Sequence, residues 1–356
     1  MKILMTVGHP AHMHYFKNAT RMLQEKGHKV LFFVRDRECI IENIKKEGFD
    51  YVCYGKGGEG LFGKFLNIFS TDYSLLKVAL KFKPDIFVSM SSHYAGHVSR
   101  ILMKPHITIT DTEYAKLANA ITFPVSDTIL SPYVWYEKKH SRQIFFKSFL
   151  ENLYLSDKYF KPDESILKDL GIDINEKYCV VRFVALNANH DVGVKKMSYD
   201  DKLDIIRELT KHYKVFITSE HELPAEIEPL RLSLHPSQFH SVVNFASLCV
   251  SEGITTASEA AVLGVPTILT NPLRVGYCDE EERLGLLHKA FEKDEIIEKI
   301  RELANIKDIK IVYHRIQQEL TSEMIDGTQF LVWFIENYPE SKKIMKENPD
   351  YQNRFK

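Results

Sequence analysis

Cysteine is sparse, and the few present are far apart. Cys39, Cys53, Cys179, Cys249 and Cys278 form no CxxC pair and show no zinc-ligand spacing, which excludes a disulfide scaffold and a zinc module. Cys53, Cys179 and Cys249 fall in strand-like apolar runs, where a small apolar side chain serves packing. Charge of one sign is lacking too. The formal net charge is −1 and no stretch forms a basic arm, so nothing marks a nucleic-acid binder. No apolar run is long enough to span a bilayer. The start, Met1 to Pro10, turns polar too soon for a signal peptide. A cytoplasmic protein is expected. Solenoid repeats, low-complexity tracts and the GxGxxG dinucleotide fingerprint are all missing.

What is present is regular alternation. The 356 residues, 44% hydrophobic and 27% charged, suit two α/β domains of ordinary size. Lys2–Val7 is a continuous apolar run, as a strand buried on both faces requires. A helix is predicted from about His14 to Lys26, with strands at 29–34, 49–54, 85–90, 107–110 and 128–130. The segment 133–163, rich in aromatics and Lys, breaks the rhythm. Strands resume at 178–186, 215–218, 248–251 and 265–269, and a mostly helical tail follows Asn271. This pattern predicts parallel sheets with helices on both faces. Domains are expected at 1–165 and 166–321, with a long helix within 322–356 crossing back to the first. In paired doubly wound domains a cleft is expected where the carboxyl ends of the two sheets face each other.

Candidate site residues lie in the loops after strands. Gly253 lets backbone approach a ligand, Thr255, Thr256 and Ser258 add hydroxyls, and Glu259 sits in the first turn of the helix that follows. Free N–H groups and the helix dipole make such a turn a place for phosphate. Glu259 suits either capping or a ribose diol. The whole loop also suits an ordinary capped βαβ turn. After the first strand, Gly8-His9-Pro10-Ala11-His12-Met13-His14 places three imidazoles at a sheet mouth, suited to general base work or to helix capping. No carboxylate spacing supports a metal there. Asp111 and Glu113 flank Thr112 where another strand becomes a helix, and either suits acid–base catalysis or capping. His93, Arg182, Ser219 and His235, with the loop Asn187–Asp191, supply further donors. The apolar stretch Leu61–Phe69, followed by Lys77, Lys81 and Lys83, suits either membrane docking or a buried amphipathic helix. The segment around Trp135 suits an acceptor groove or a sheet cover.

These residues carry a resemblance. Gly8-His9-Pro10-Ala11-His12, Gly27-His28-Lys29-Val30, Asp111 to Lys116, Ser251-Glu252-Gly253 and Gly264-Val265-Pro266-Thr267 together resemble an uncharacterised prokaryotic family of GT-B glycosyltransferase-like proteins. It is related to the UDP-N-acetylglucosamine 2-epimerase/glycosyltransferase superfamily. The resemblance implies a GT-B-like α/β fold and a nucleotide-sugar donor, with diphosphate at Gly253 to Thr256 and ribose at Glu259. It implies a glycan or lipid-linked acceptor near His12 and Glu113, with no cofactor or metal. The expected reaction is inverting sugar transfer to a hydroxyl, in polysaccharide or glycoconjugate assembly, with peripheral membrane contact allowed. Two other readings are a nucleotide-sugar 2-epimerase and a non-catalytic nucleotide- or glycan-binding protein. Against the epimerase, the first loop lacks Arg-Pro-Glu, and Ser91-Ser92-His93 stands where those enzymes carry a catalytic aspartate.

Overall fold

The computed structural model describes residues 1–36, 38–55, 60–173, 176–184 and 197–356, with side chains omitted at 38–39 and 60–68. The loop 187–191 and the side chains of 61–68, both singled out above, lie outside the described residues. The chain forms two compact units, Met1–Tyr154 with Met324–Lys356, and Leu155–Glu323.

The first unit alternates β1 (Lys2–Val7), α1 (Pro10–Glu25), β2 (Lys29–Val34), α2 (Glu38–Glu47), β3 (Tyr51–Cys53), α3 (Gly60–Phe82) and β4 (Ile86–Met90). It continues with α4 (His93–Ile101), β5 (His106–Ile109), α5 (Lys116–Thr122), β6 (Thr128–Pro132), β7 (Gln143–Phe146) and α6 (Asn152–Leu155). Its seven strands are ordered β3-β2-β1-β4-β5-β6-β7, and each neighbouring pair is parallel. One part of its core joins Leu4, Phe33 and Phe87 of the sheet to Leu75 and Ala79 of α3 and Ala95 and Val98 of α4.

The second unit holds α7 (Ser165–Asp169), β8 (Tyr178–Phe183), α8 (Tyr199–Leu209), β9 (Lys214–Ser219), α9 (Phe239–Phe245) and β10 (Leu248–Ser251). Then come α10 (Ile254–Val262), β11 (Thr267–Leu269), α11 (Gly276–Arg283), β12 (Leu287–Lys289), α12 (Lys293–Ala304) and α13 (Ile309–Ser322). Its strand order is β12-β11-β10-β8-β9. Tyr178, Val180 and Cys249 of the sheet pack with Val242, Val243 and Ala260 from α9 and α10.

Four expectations need correction. Helix α1 starts at Pro10 rather than His14, because proline suits the first helical position and His9 Nδ1 accepts the Ala11 N–H at 3.3 Å. Strand β7 lies inside the segment that looked irregular. It pairs with β6 through a crossover, residues 133–142, that contains no helix. Strand β12 falls in the tail expected to be helical, too short to show a period. The single helix expected near 322–347 is two, α14 (Gly327–Glu336) and α15 (Glu340–Glu347). Asp326 caps the first by accepting the Gln329 N–H at 2.9 Å. Pro339, with no N–H to donate, stands between the two. Residues 324–356 belong to the first unit. There Ile325 N–H bonds Lys147 O at 2.9 Å and the Thr328 hydroxyl bonds Leu153 O at 2.9 Å.

Candidate functional site

In each unit the strand order reverses once, and ligands of open parallel sheets bind at that reversal, outside the carboxyl ends. In the first unit it lies between β1 and β4. The loop after β1 brings Gly8 and His9, and His12 follows on the first turn of α1, where its Nδ1 lies 3.4 Å from Gly8 N. The loop after β4 brings Ser91, Ser92 and then His93 at the start of α4. Ser92 caps this helix by accepting the Ala95 N–H at 3.3 Å. Burial, reinforced by neighbouring His97, holds His93 below the usual histidine range. It is therefore neutral near pH 7 and suited to hydrogen bonding rather than charge pairing. His97 in turn meets Asp72 at 2.9 Å. His14 stacks on Tyr154 with ring centroids 5.2 Å apart, and exposed His9 is the cap of α1.

One strand further along, β5 leads to Asp111 and Glu113, both buried. Burial raises the Asp111 carboxyl, and the Thr112 hydroxyl, donating at 2.9 Å, partly opposes the shift. The ends of β1 and β5, which lead to His12 and Glu113, are separated by β4 and so stand about 10 Å apart by strand spacing. Glu113 lines a cavity of about 280 Å³ at the carboxyl ends of β5 and β6. The helix-free crossover after β6 carries Trp135 to this cavity, where Phe123 and His140 complete an aromatic wall. Lys116, Glu137 and Lys138 stand at it as well, so the lining charges are mixed in sign. Asn119 lines it and donates to Thr112 O at 2.9 Å.

In the second unit the reversal falls between β8 and β10. Gly253 therefore stands at the switch point, as the N-cap of α10. Its φ of −86° is open to any residue. A Cβ there would come 3.2 Å from Val184 Cγ1, crowding that methyl by a few tenths of an ångström, and would make an ordinary 3.6 Å contact with Arg182 Cγ. Among the described residues, no side chain caps α10. The N–H groups of Ile254, Thr255 and Thr256 occupy its first turn, where no intrahelical carbonyl reaches them. Half-buried Thr255 and Thr256 stand beside them. Ser251 fastens the turn, accepting the Gly253 N–H at 3.0 Å and donating to Gly253 O at 2.8 Å. The arrangement can receive an anion, since the helix dipole and free donors converge there.

Other candidates take different places. Arg182 pairs with Glu220 at 2.6 Å. Ser219 ends β9 and accepts the His221 N–H at 3.1 Å. Exposed His235 caps the short 3-10 turn Pro236–Gln238. Ser258 is fully buried and donates to Glu281 at 2.5 Å, so its hydroxyl joins α10 to α11 instead of facing the loop. Glu259, expected in the first turn, is the sixth residue of α10 and lies in its second turn, because the helix begins at Ile254; it is buried and its Oε1 lies 2.9 Å from His240 Nε2.

Two residues of this site were not among the site residues assigned from the sequence. Buried Glu252 meets Lys202 at 2.6 Å and accepts the Val184 N–H at 2.9 Å, tying the end of β8 to the turn after β10. His240 orients Glu259 from α9. Both are polar residues at element ends, and only their burial gives them away. Among the described residues, no three His, Cys, Asp or Glu side chains form a group able to hold a metal ion. No helix among those residues is long and apolar enough to cross a membrane.

Two parallel-sheet units with ligand-ready turns at their reversals define a GT-B-like protein. The chain belongs to the family described as protein of unknown function (DUF354), whose model matches residues 1–338. An uncharacterized protein of Methanocaldococcus jannaschii is 25% identical over 327 residues, covering 88% of this chain and 90% of that protein. The UDP-GlcNAc 2-epimerase from Neisseria meningitidis, bound to UDP-GlcNAc, superposes with a TM-score of 0.67 at 17% identity, covering 98% of this chain and 99% of that one. The spinosyn rhamnosyltransferase SpnG, complexed with spinosyn aglycone, gives 0.63 at 14% identity, covering 95% and 100%. The fold is thus shared by glycosyltransferases and UDP-GlcNAc 2-epimerases.

Proposed function

We propose that this chain is an inverting, metal-independent glycosyltransferase that moves a sugar from a nucleotide-sugar donor to a hydroxyl acceptor in glycan or glycoconjugate assembly. The observation carrying this reading is Gly253 at the uncapped start of α10, on the switch point of its sheet. The first-turn N–H groups would hold the diphosphate and stabilise it as it leaves, a task preorganised donors perform without a metal. Glu259, oriented by His240, would receive the ribose hydroxyls. Glu113 is the base we assign, because it fronts a cavity with an aromatic wall suited to the flat face of a sugar ring. His12, at the neighbouring reversal, is the alternative base. The mixed lining charges favour a neutral polyhydroxyl acceptor over an anion.

Thermal-shift measurements with UDP, GDP, CMP and dTDP species test the donor site, since a ligand that binds only the folded state raises its melting temperature. One nucleotide should stabilise the wild type. Gly253→Val should abolish that response while leaving the ligand-free melting temperature within a few degrees. A Gly253→Val protein that still responds would remove the donor from this turn.

A 2-epimerase reading is the alternative, because UDP-GlcNAc 2-epimerases share this fold. Incubation of the nucleotide sugar without acceptor separates the two. A 2-epimer product indicates epimerisation, whereas transfer requires the acceptor.

A further inference from the structure

At the opposite end of the first unit's sheet, where β1 and β2 begin, lies a cavity of about 640 Å³. Its apolar lining comes from Leu31, Val52, Val78 and Phe82, and its polar lining is four lysines, Lys2, Lys29, Lys77 and Lys81. Among the described residues, no acidic side chain lines it. Lys2 is held in place, its Nζ donating to Phe82 O at 3.0 Å and its backbone N–H to Asp85 at 2.7 Å. Lys29, Lys77 and Lys81 are exposed.

The helix beside this cavity breaks the usual rule for a solvent face. On α3, Phe69 is 61%, Tyr73 59% and Leu80 56% exposed, and the spacing of 69, 73, 77, 80 and 81 puts them along one stripe with Lys77 and Lys81. Lys77 lies over the Tyr73 ring at 4.3 Å, which turns an ammonium and an aromatic outward together. Large apolar side chains exposed beside lysines, next to an apolar cavity, are wasteful in water and favourable at a lipid interface.

We propose that this face docks on a bilayer containing anionic glycerophospholipid. The phosphate of one lipid is held by the lysines, the start of its acyl chains enters the cavity, and Phe69, Tyr73 and Leu80 insert beside it. Charge complementarity selects the occupant. Four ammonium groups, with no carboxylate among the described lining residues, attract a phosphodiester, and the apolar floor requires that it carry hydrocarbon. The site lies at the amino ends of the strands, opposite the loops of the same unit that carry His12 and Glu113. It stands independently of the glycosyltransferase reading.

The test is flotation of the full chain with vesicles of phosphatidylcholine alone or with about one-third phosphatidylglycerol, at physiological salt. The wild type should float with the anionic vesicles only. Replacing Lys29, Lys77 and Lys81 together with Ser should weaken that binding roughly 100-fold. Lys2 is left intact because its contacts are internal. Phe69→Ser with Leu80→Ser should weaken it further, and all variants should keep the wild-type melting temperature and nucleotide response. A control replacing exposed Lys168, Lys307 and Lys356 with Ser should bind as wild type. The proposal is overturned if the wild type does not float with anionic vesicles. It is equally overturned if the cavity-lysine variant binds undiminished, or if the control loses as much as that variant. A wild type that binds vesicles but responds to no nucleotide would count against the donor site alone.

Discussion

Glu281 has no exposed surface, and burial pushes its carboxyl up to about 8, against the pull of hydrogen bonds from Ser258 and Cys278. Its Oε2 has no hydrogen-bond partner among the described residues. The folded state thus keeps a proton that the unfolded chain releases near 4.5. Its stabilising effect is complete below pH 4.5 and is lost as pH rises through about 8, a difference of several kcal/mol at most. His106 acts in the opposite sense. Full burial lowers it to about 3, so its contribution is present above pH 6.5 and fades as pH falls toward 3. Urea unfolding across pH 5 to 9 should show Glu281→Gln flattening the decline between pH 5 and 8 and exceeding the wild type at pH 8. An unchanged slope would mean that Glu281 ionises freely in the folded protein. At the proposed catalytic centre, Glu113→Gln should cut turnover by about 10² to 10⁴ with donor affinity nearly unchanged. His12→Asn should do so instead if the imidazole is the base. Wild-type rates in both variants would remove both residues from the chemistry.

Helix α14 shows how one residue positions an element. Asp326 accepts the Gln329 N–H at 2.9 Å and also holds the Gln329 side chain at 2.9 Å. Asp326→Ala should cost about 1 kcal/mol. Hydrogen exchange should locate the loss as faster exchange at the start of α14, with rates in α10 unchanged. Faster exchange in α10 instead would contradict that localisation. Helix α10 is built the other way, with Gly253 as a cap that offers no side chain. Capping its own donors would stabilise the helix and fill the position that an anion is proposed to take.

For the molecule as a whole, the first unit is completed only by the end of the chain. Phe330, Leu331, Val332, Phe334 and Ile335 of α14 are all buried there. At about 1.5 to 3 kcal/mol for each buried side chain, their loss is comparable to the entire stability of a domain, about 5 to 15 kcal/mol. A chain ending at Glu323 should therefore lose the first unit's cooperative unfolding in calorimetry and keep a transition from the second. Two preserved transitions would show that the first unit folds without its C-terminal segment.

Strand positions such as Lys2–Val7, Lys29–Val34 and Leu248–Ser251, and the glycine turn before α10, were readable from local pattern. A fully buried parallel strand is a continuous apolar run, and a helix start is announced by its neighbours in sequence. The short strands β7 and β12 were not, because three or four residues carry too little period to separate them from a loop. The order of strands, which sets Gly253 at a reversal and keeps β4 between His12 and Glu113, was decided only in three dimensions. So were the partners of polar residues. Ser258 and Glu259 are adjacent in sequence and equally polar, yet one hydroxyl meets buried Glu281 and the other side chain meets His240. Which face of a helix is covered, and by what, depends on contacts between residues far apart along the chain, and these form only when the sheet is assembled.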